Sequence, residues 1–225
     1  MTNRREERRN RRRATQAPKG RNMVIGNQLR RPRDIRVLVA GIPKSSVTFT
    51  TQVINDLVDG DCVYKTHAYI HDDNCERVFL VVRDFRDCIT SASRSLNDPI
   101  NPVSCDFIWY IMAQWQQYFW ALYQYIQRQS PVIIRYETCT FDPVEFSRVT
   151  GFPVGDTIAA HKRHDFATNK HIVDNLTQHQ PNGMLTCGHM HEGTMGAYKE
   201  WMGSDAINLA NDLLGDHLTY FNYDV

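Results

Sequence analysis

No apolar run in this chain of 225 residues approaches the roughly 18 residues that a helix needs to cross a bilayer. The N-terminus has no short apolar core of the kind that marks a secretion signal, and its Arg-rich start lacks the apolar face of a mitochondrial presequence. Six cysteines, at 62, 75, 88, 105, 139 and 187, include no CxxC pair and no tight framework. In a domain of this size that scatter points to reduced thiols rather than a disulfide scaffold. No internal repeat is visible, and biased composition is confined to the first 33 residues. These absences argue against a membrane span, a disulfide scaffold and a repeat array, and the expectation is a soluble, cytoplasmic protein. Its length suits a single domain with one well-buried core.

The formal net charge of +1 conceals an asymmetry. Residues 1–33 hold twelve Lys and Arg against two acids, a balance of +10, and residues 34–225 hold fourteen against twenty-three, a balance of −9. The expected organisation is a basic, disordered arm over 1–33 followed by one domain over 34–225, because blocks of like charge repel and bury nothing. The arm suits contact with nucleic acid or another anionic surface through counterion release.

Within the domain, short apolar runs alternate with longer helical spacings. IRVLVAG (35–41) reads as a strand buried on both faces, CVYKTHAYI (62–70) as a second, RVFLVVRD (77–84) as a third and PVIIRYE (131–137) as a fourth. Helices are expected over 48–60, 85–96, 106–129 and 142–153, and loops over 71–76, 97–105 and 154–190. Such alternation implies right-handed crossovers and a three-layer α/β/α fold with a central parallel sheet. Ligands in such sheets bind beyond the carboxyl ends of the strands. The first strand runs there into GIPKSSVTFT (41–50).

A strand–loop–helix junction offers free N–H groups and the positive end of a helix dipole, so it binds phosphate or sulfate. This one is not the nucleotide-triphosphate loop G-x-x-x-x-G-K-[ST]. Lys44 follows Gly41 by three residues with no second glycine. G-x-P-K-S-x-x-T instead resembles the P-loop-like phosphosulfate-binding loop of sulfotransferases that use 3′-phosphoadenosine 5′-phosphosulfate (PAPS). Further matches follow in order. YKTHAY (64–69) resembles the family's Lys-Thr-His element, VVRDFRDCITS (81–91) its R-N-P-R-D-x-x-x-S element, IIRYETCTFDP (133–143) its R-Y-E-D-L segment, and HEGTMGAYKEW (191–201) its late Gly-rich loop. The departures are Ser46 and Val47 for Gly-Thr, Asp84 and Phe85 for Asn-Pro, and His191 and Glu192 for a basic pair.

The resemblance implies sulfuryl transfer from PAPS to a hydroxyl of a small-molecule or glycan acceptor. His67 would be the general base, Lys44 the cation on the leaving phosphate and Lys65 the cation beside the transferring group. Ser45, Ser46, Val47, Thr48 and Phe49 would hold the 5′ end, Arg83 and Ser91 the 3′-phosphate, and Tyr136 the adenine. His191, Glu192 and Gly193 would close over both, and Arg86 and Asp87 would pair structurally. Cys187, His189 and His191, with His161 and His164 upstream, lack paired zinc spacing, so no metal is expected. The competing expectation is an inactive sulfotransferase-like binding or structural protein, held to nucleic acid or an assembly by the arm.

Overall fold

The computed structural model describes residues 35–58, 62–71, 75–96, 101–175 and 193–225. The arm over 1–33 lies outside these residues, as do Cys187, His189, His191 and Glu192.

Four parallel strands form one sheet in the order β2-β1-β3-β4, with β1 at Val37–Gly41, β2 at Val63–Thr66, β3 at Arg77–Val82 and β4 at Val132–Arg135. Every residue of β1 is buried, the outcome expected of an apolar run covered on both faces. The chain moves from β1 to β2 on one side and then to β3 on the other, which leaves a switch point between β1 and β3. The register pairs Ala40 with Thr66, Gly41 with Val81 and Val82 with Arg135. The segments that leave all four strands therefore emerge side by side.

The alternation of side chains along the strands divides the core into two layers. On one face Leu38, Ala40, Leu80 and Val82 pack with the long helix α3 (Cys105–Gln129) and the C-terminal helix α9 (Ser204–Tyr220). On the other, Val37, Val39, Phe79 and Val81 pack with α1 (Val47–Leu57), and with α5 (Pro143–Thr150) and α6 (Val154–Arg163) through Phe146 and Ala160. The three-layer α/β/α arrangement is as the alternating pattern requires. Among the described residues, no helix is long and apolar enough to cross a membrane, and the cysteines form no disulfide.

Several boundaries differ from the sequence reading. The segment 154–190 is not all loop, since α6 and α7 (Phe166–Asp174) occupy its first part. Their buried positions are Thr157, Ala160 and His161, and Asn169 and Val173, so polar side chains make much of the inward face and the apolar period is faint. The fourth strand stops at Arg135, where a helical turn α4 (Tyr136–Cys139) begins, and a second turn α8 (Tyr198–Trp201) lies in the late loop.

Candidate active site

The loop after β1 is built around a close approach. A side chain at Gly41 would place its Cβ 2.5 Å from the Val81 carbonyl oxygen, nearer than any real contact, so only glycine lets β1 lie against β3 there. Past Pro43 the backbone turns through two left-handed residues, Lys44 (φ 68) and Ser46 (φ 76). Ser45 is fully buried and donates its hydroxyl to the Ile42 carbonyl at 2.8 Å. Ser46 is then the N-cap of α1 but caps nothing with its side chain, and no acid stands in the first turn. Thr48 does not cap the helix either. Its hydroxyl accepts a hydrogen bond from Lys65 Nζ at 2.7 Å. Among the described residues, then, neither Ser46 nor Thr48 caps the first N–H groups of α1 with its side chain, the arrangement that receives anions.

Lys65 and His67 arrive from the end of β2, hydrogen-bonded next to β1. His67 Nδ1 lies 2.6 Å from the Gly41 carbonyl oxygen. A carbonyl only accepts, so Nδ1 carries the proton and Nε2 keeps its lone pair. Burial, and to a lesser degree the Lys65 charge, lower the His67 pKa to about 4, against the opposing carbonyl contact. The ring is therefore neutral at pH 7, and Tyr118 of α3 meets it edge-on at 5.9 Å. Burial also lowers Lys44 and Lys65 to about 8. Lys44 Nζ donates to Ser95 Oγ at 2.6 Å, which ties the loop to the end of α2 (Phe85–Arg94).

Arg83 leaves β3 into a crowded setting. It donates to the Lys44 carbonyl at 3.3 Å and the Thr194 carbonyl at 3.0 Å, lies 3.6 Å from the Asp87 carboxylate and stacks over Tyr136 at 4.1 Å. Tyr136 in turn donates its hydroxyl to the Gly193 carbonyl at 2.8 Å. The expected pairing of Arg86 with Asp87 is replaced by a crossed one. Arg86 pairs with Asp84 at 2.7 Å, while Asp87 pairs with Arg83 and accepts from the Gly196 and Tyr198 N–H groups at 2.7 and 3.1 Å. The reason is helical: Arg83 and Asp87 are one turn apart and face the same way, whereas Asp84 caps α2 and meets Arg86 across the cap.

These groups surround one cavity of about 770 Å³. Its wall contains Lys44, Ser46, Val47, Thr48, Phe49, Lys65, His67, Arg83, Ser91, Tyr136 and Gly193, while Ser45 is buried beneath the loop. The sequence reading missed Thr90 and Arg94 on α2, His161 and Lys162 on α6, and Asp165, Phe166 and Asn169 at the start of α7. Asp165 is a legible N-cap signal, accepting from the Thr168 N–H at 2.7 Å. Gly193 (φ 64) lies so close to Phe166 that a Cβ would come within 3.0 Å of its ring. Among the described wall residues five are cations and two, Asp87 and Asp165, are acids. Arg83 Nε and Thr90 Oγ1 are buried without a hydrogen-bond partner, so the wall still offers polar groups to an anionic ligand. His161 packs between Phe49 and Phe146, His164 bonds Asp56 at 2.9 Å, and the described residues hold no group of three metal-ligating side chains.

No protein-family model matches the sequence, and no curated protein matches it closely enough to count as a relative. Solved structures do share its fold. A mouse sulfotransferase, SULT7A1, complexed with PAP superposes with a TM-score of 0.59 at 14% identity, covering 84% of each chain. A retinol dehydratase in complex with retinol and PAP superposes with a TM-score of 0.58 at 16% identity, over 88% of this chain and 84% of that one. The chain therefore has the sulfotransferase fold.

Proposed function

We propose that this protein is a PAPS-dependent sulfotransferase acting on a hydroxyl of a small molecule or glycan. The observation that carries the reading is the His67 contact: the Gly41 carbonyl opens the anion-binding loop and also sets the tautomer of His67. A base with a free Nε2 and a cradle for a phosphate are thereby locked into one construction. The PAP and retinol in the structural neighbours support a nucleotide and a small-molecule acceptor here. The residues fit such a nucleotide, since cations, uncapped N–H groups and unpartnered polar atoms line one cavity.

Bound there, PAPS would supply a sulfuryl group activated by a phosphate leaving group. His67 Nε2 would take the proton of the acceptor hydroxyl, a task for which a neutral imidazole is required. Lys44 and the N–H groups of Ser45 to Thr48 would hold the charge that grows on the phosphate, and Lys65, tethered by Thr48, would stand beside the transferring group. Arg83 and Ser91 would anchor the 3′-phosphate, while Tyr136 and Phe49 offer flat faces to the base and Gly193 passes over it. Remote binding would then align the reacting centre.

The test is a pair of variants. His67→Ala should lose transfer by at least ~10²-fold and bind adenosine 3′,5′-bisphosphate like the wild type, whereas Arg83→Ala should chiefly weaken nucleotide binding. With His67 near pKa 4, kcat/KM of the wild type should show no acid limb between pH 7 and about 5.5. Equal turnover in His67→Ala and wild type removes His67 as the base.

A further inference from the structure

α6 and α7 turn three polar side chains inward, and two of them are satisfied. Thr157 donates its hydroxyl to the Pro153 carbonyl at 2.9 Å, and Asn169 exchanges amide hydrogen bonds with Gln52. His161 differs. It is 7% exposed, and its Nε2 is enclosed without a hydrogen-bond partner. Burial lowers its pKa to about 4, with Asp142 opposing the shift and His164 adding to it, so the ring is neutral at pH 7.

The ring stands nearly perpendicular to Phe49 at 5.1 Å and to Phe146 at 4.9 Å. A phenyl ring would fill such a place with no polar atom left over, and an unpaired buried nitrogen is costly. Packing alone therefore does not account for the histidine. A partner arriving from the cavity does, since His161 forms part of the cavity wall. A half-turn about Cβ–Cγ exchanges nitrogen and carbon positions within the same volume. The imidazole can thus present a nitrogen without displacing either phenylalanine.

The neighbouring wall indicates which partner. Phe49, Phe141, Pro143 and Ile158 line the cavity with it, all of them apolar, and Phe141 meets Tyr136 edge-on at 5.4 Å. Lys162 follows His161 on α6 but is exposed. An apolar slot holding a neutral polar group suits a flat heterocycle with a polar rim, and suits a phosphate poorly.

We infer that His161 hydrogen-bonds the base of the nucleotide, within an apolar slot formed by Phe49, Phe141, Pro143 and Ile158. This rests on the cofactor reading above, in which Lys44, Lys65 and Arg83 attend to the phosphates and the transferring group. The base is the part of such a ligand that joins flat apolar faces to a rim of ring nitrogens and an amino group.

The experiment titrates wild type, His161→Phe and His161→Gln with adenosine 3′,5′-bisphosphate and with 1,2-dideoxyribose 3,5-bisphosphate, which lacks the base. Phenylalanine keeps a ring between Phe49 and Phe146 and removes both nitrogens, whereas glutamine keeps a donor and an acceptor. Wild type should prefer the nucleotide. His161→Phe should lose ~5-fold or more of that preference while its affinity for the abasic ligand stays within about twofold, and His161→Gln should recover part of the loss. His161→Leu gives the same reading if the phenylalanine variant does not fold. Full preference retained in the apolar variant overturns the inference and leaves the cofactor reading standing. An equal loss for both ligands assigns His161 to packing and overturns it as well. A wild type that does not distinguish the two ligands sinks the cofactor reading and this inference with it.

Discussion

Ser46 occupies the position where the resemblance calls for glycine, and its backbone takes the conformation glycine would supply, φ 76. A Cβ in the left-handed region costs about 1–2 kcal/mol, and here it is sustained because Ser45 is pinned inward and α1 begins at once. The Cβ at this position places strain in the loop. Ser46→Gly should therefore raise the unfolding free energy by about 0.5–1 kcal/mol, the relief of strain being partly offset by the freer unfolded chain. Ser46→Ala should change it little, because alanine bears the same Cβ. Chemical denaturation of the three proteins decides the matter, and a glycine variant no more stable than the alanine one would refute the strain. His67 shows the complementary limit of sequence reading. Lys-Thr-His in 64–69 marks the residue, but its tautomer depends on a carbonyl 26 positions away, and no local pattern encodes that.

The elements that position the cavity were legible in unequal measure. β1, β3 and α3 announce themselves through apolar runs and periods, because their inward faces are almost wholly hydrocarbon. α6 and α7 do not, since Thr157, His161 and Asn169 do the inward packing, and Asn169 exchanges amide hydrogen bonds with Gln52 at 2.9 and 3.3 Å. The far wall of the cavity consequently stayed hidden while the near wall, built from strand ends, was visible. α9 buries Ala206, Ala210, Leu214 and Leu218 at a four-residue interval, a stripe that lies beyond the last motif at 191–201. The strand-end elements also share a titration. Burial lowers Lys44 and Lys65 from 10.5 to about 8, so between pH 8 and 10.5 the unfolded chain binds more protons and the ligand-free protein gains stability as pH rises. A phosphate ligand favours the charged forms. Binding of adenosine 3′,5′-bisphosphate near pH 8.5 should take up protons, and affinity should fall by up to ~10-fold per lysine per unit above pH 8. Calorimetry in two buffers of unlike ionisation enthalpy reads the uptake directly, and an uptake of zero would detach both lysines from the anion.

At the scale of the whole molecule, charge is segregated three ways. The first 33 residues carry a balance of +10, the remainder −9, and yet the cavity wall holds five cations against two acids. Under the proposed function an anionic nucleotide would be drawn to the cavity by local fields, against the sign of the domain around it, while the basic arm expected from the sequence would offer a separate target for polyanions. The two should be separable. The full chain should bind single-stranded RNA with an affinity that falls on the order of 10²-fold between 50 and 200 mM salt for six phosphate contacts. A chain lacking residues 1–33 should lose that binding and keep its affinity for adenosine 3′,5′-bisphosphate within about twofold at 150 mM salt, where the Debye length of about 8 Å isolates the cavity from distant charge. Loss of nucleotide affinity in the shortened chain would instead make the arm part of the cavity, supplying in another form the basic pair that His191 and Glu192 replaced. Unchanged RNA binding would move the polyanion surface onto the acidic domain, where nothing in its charge balance favours it.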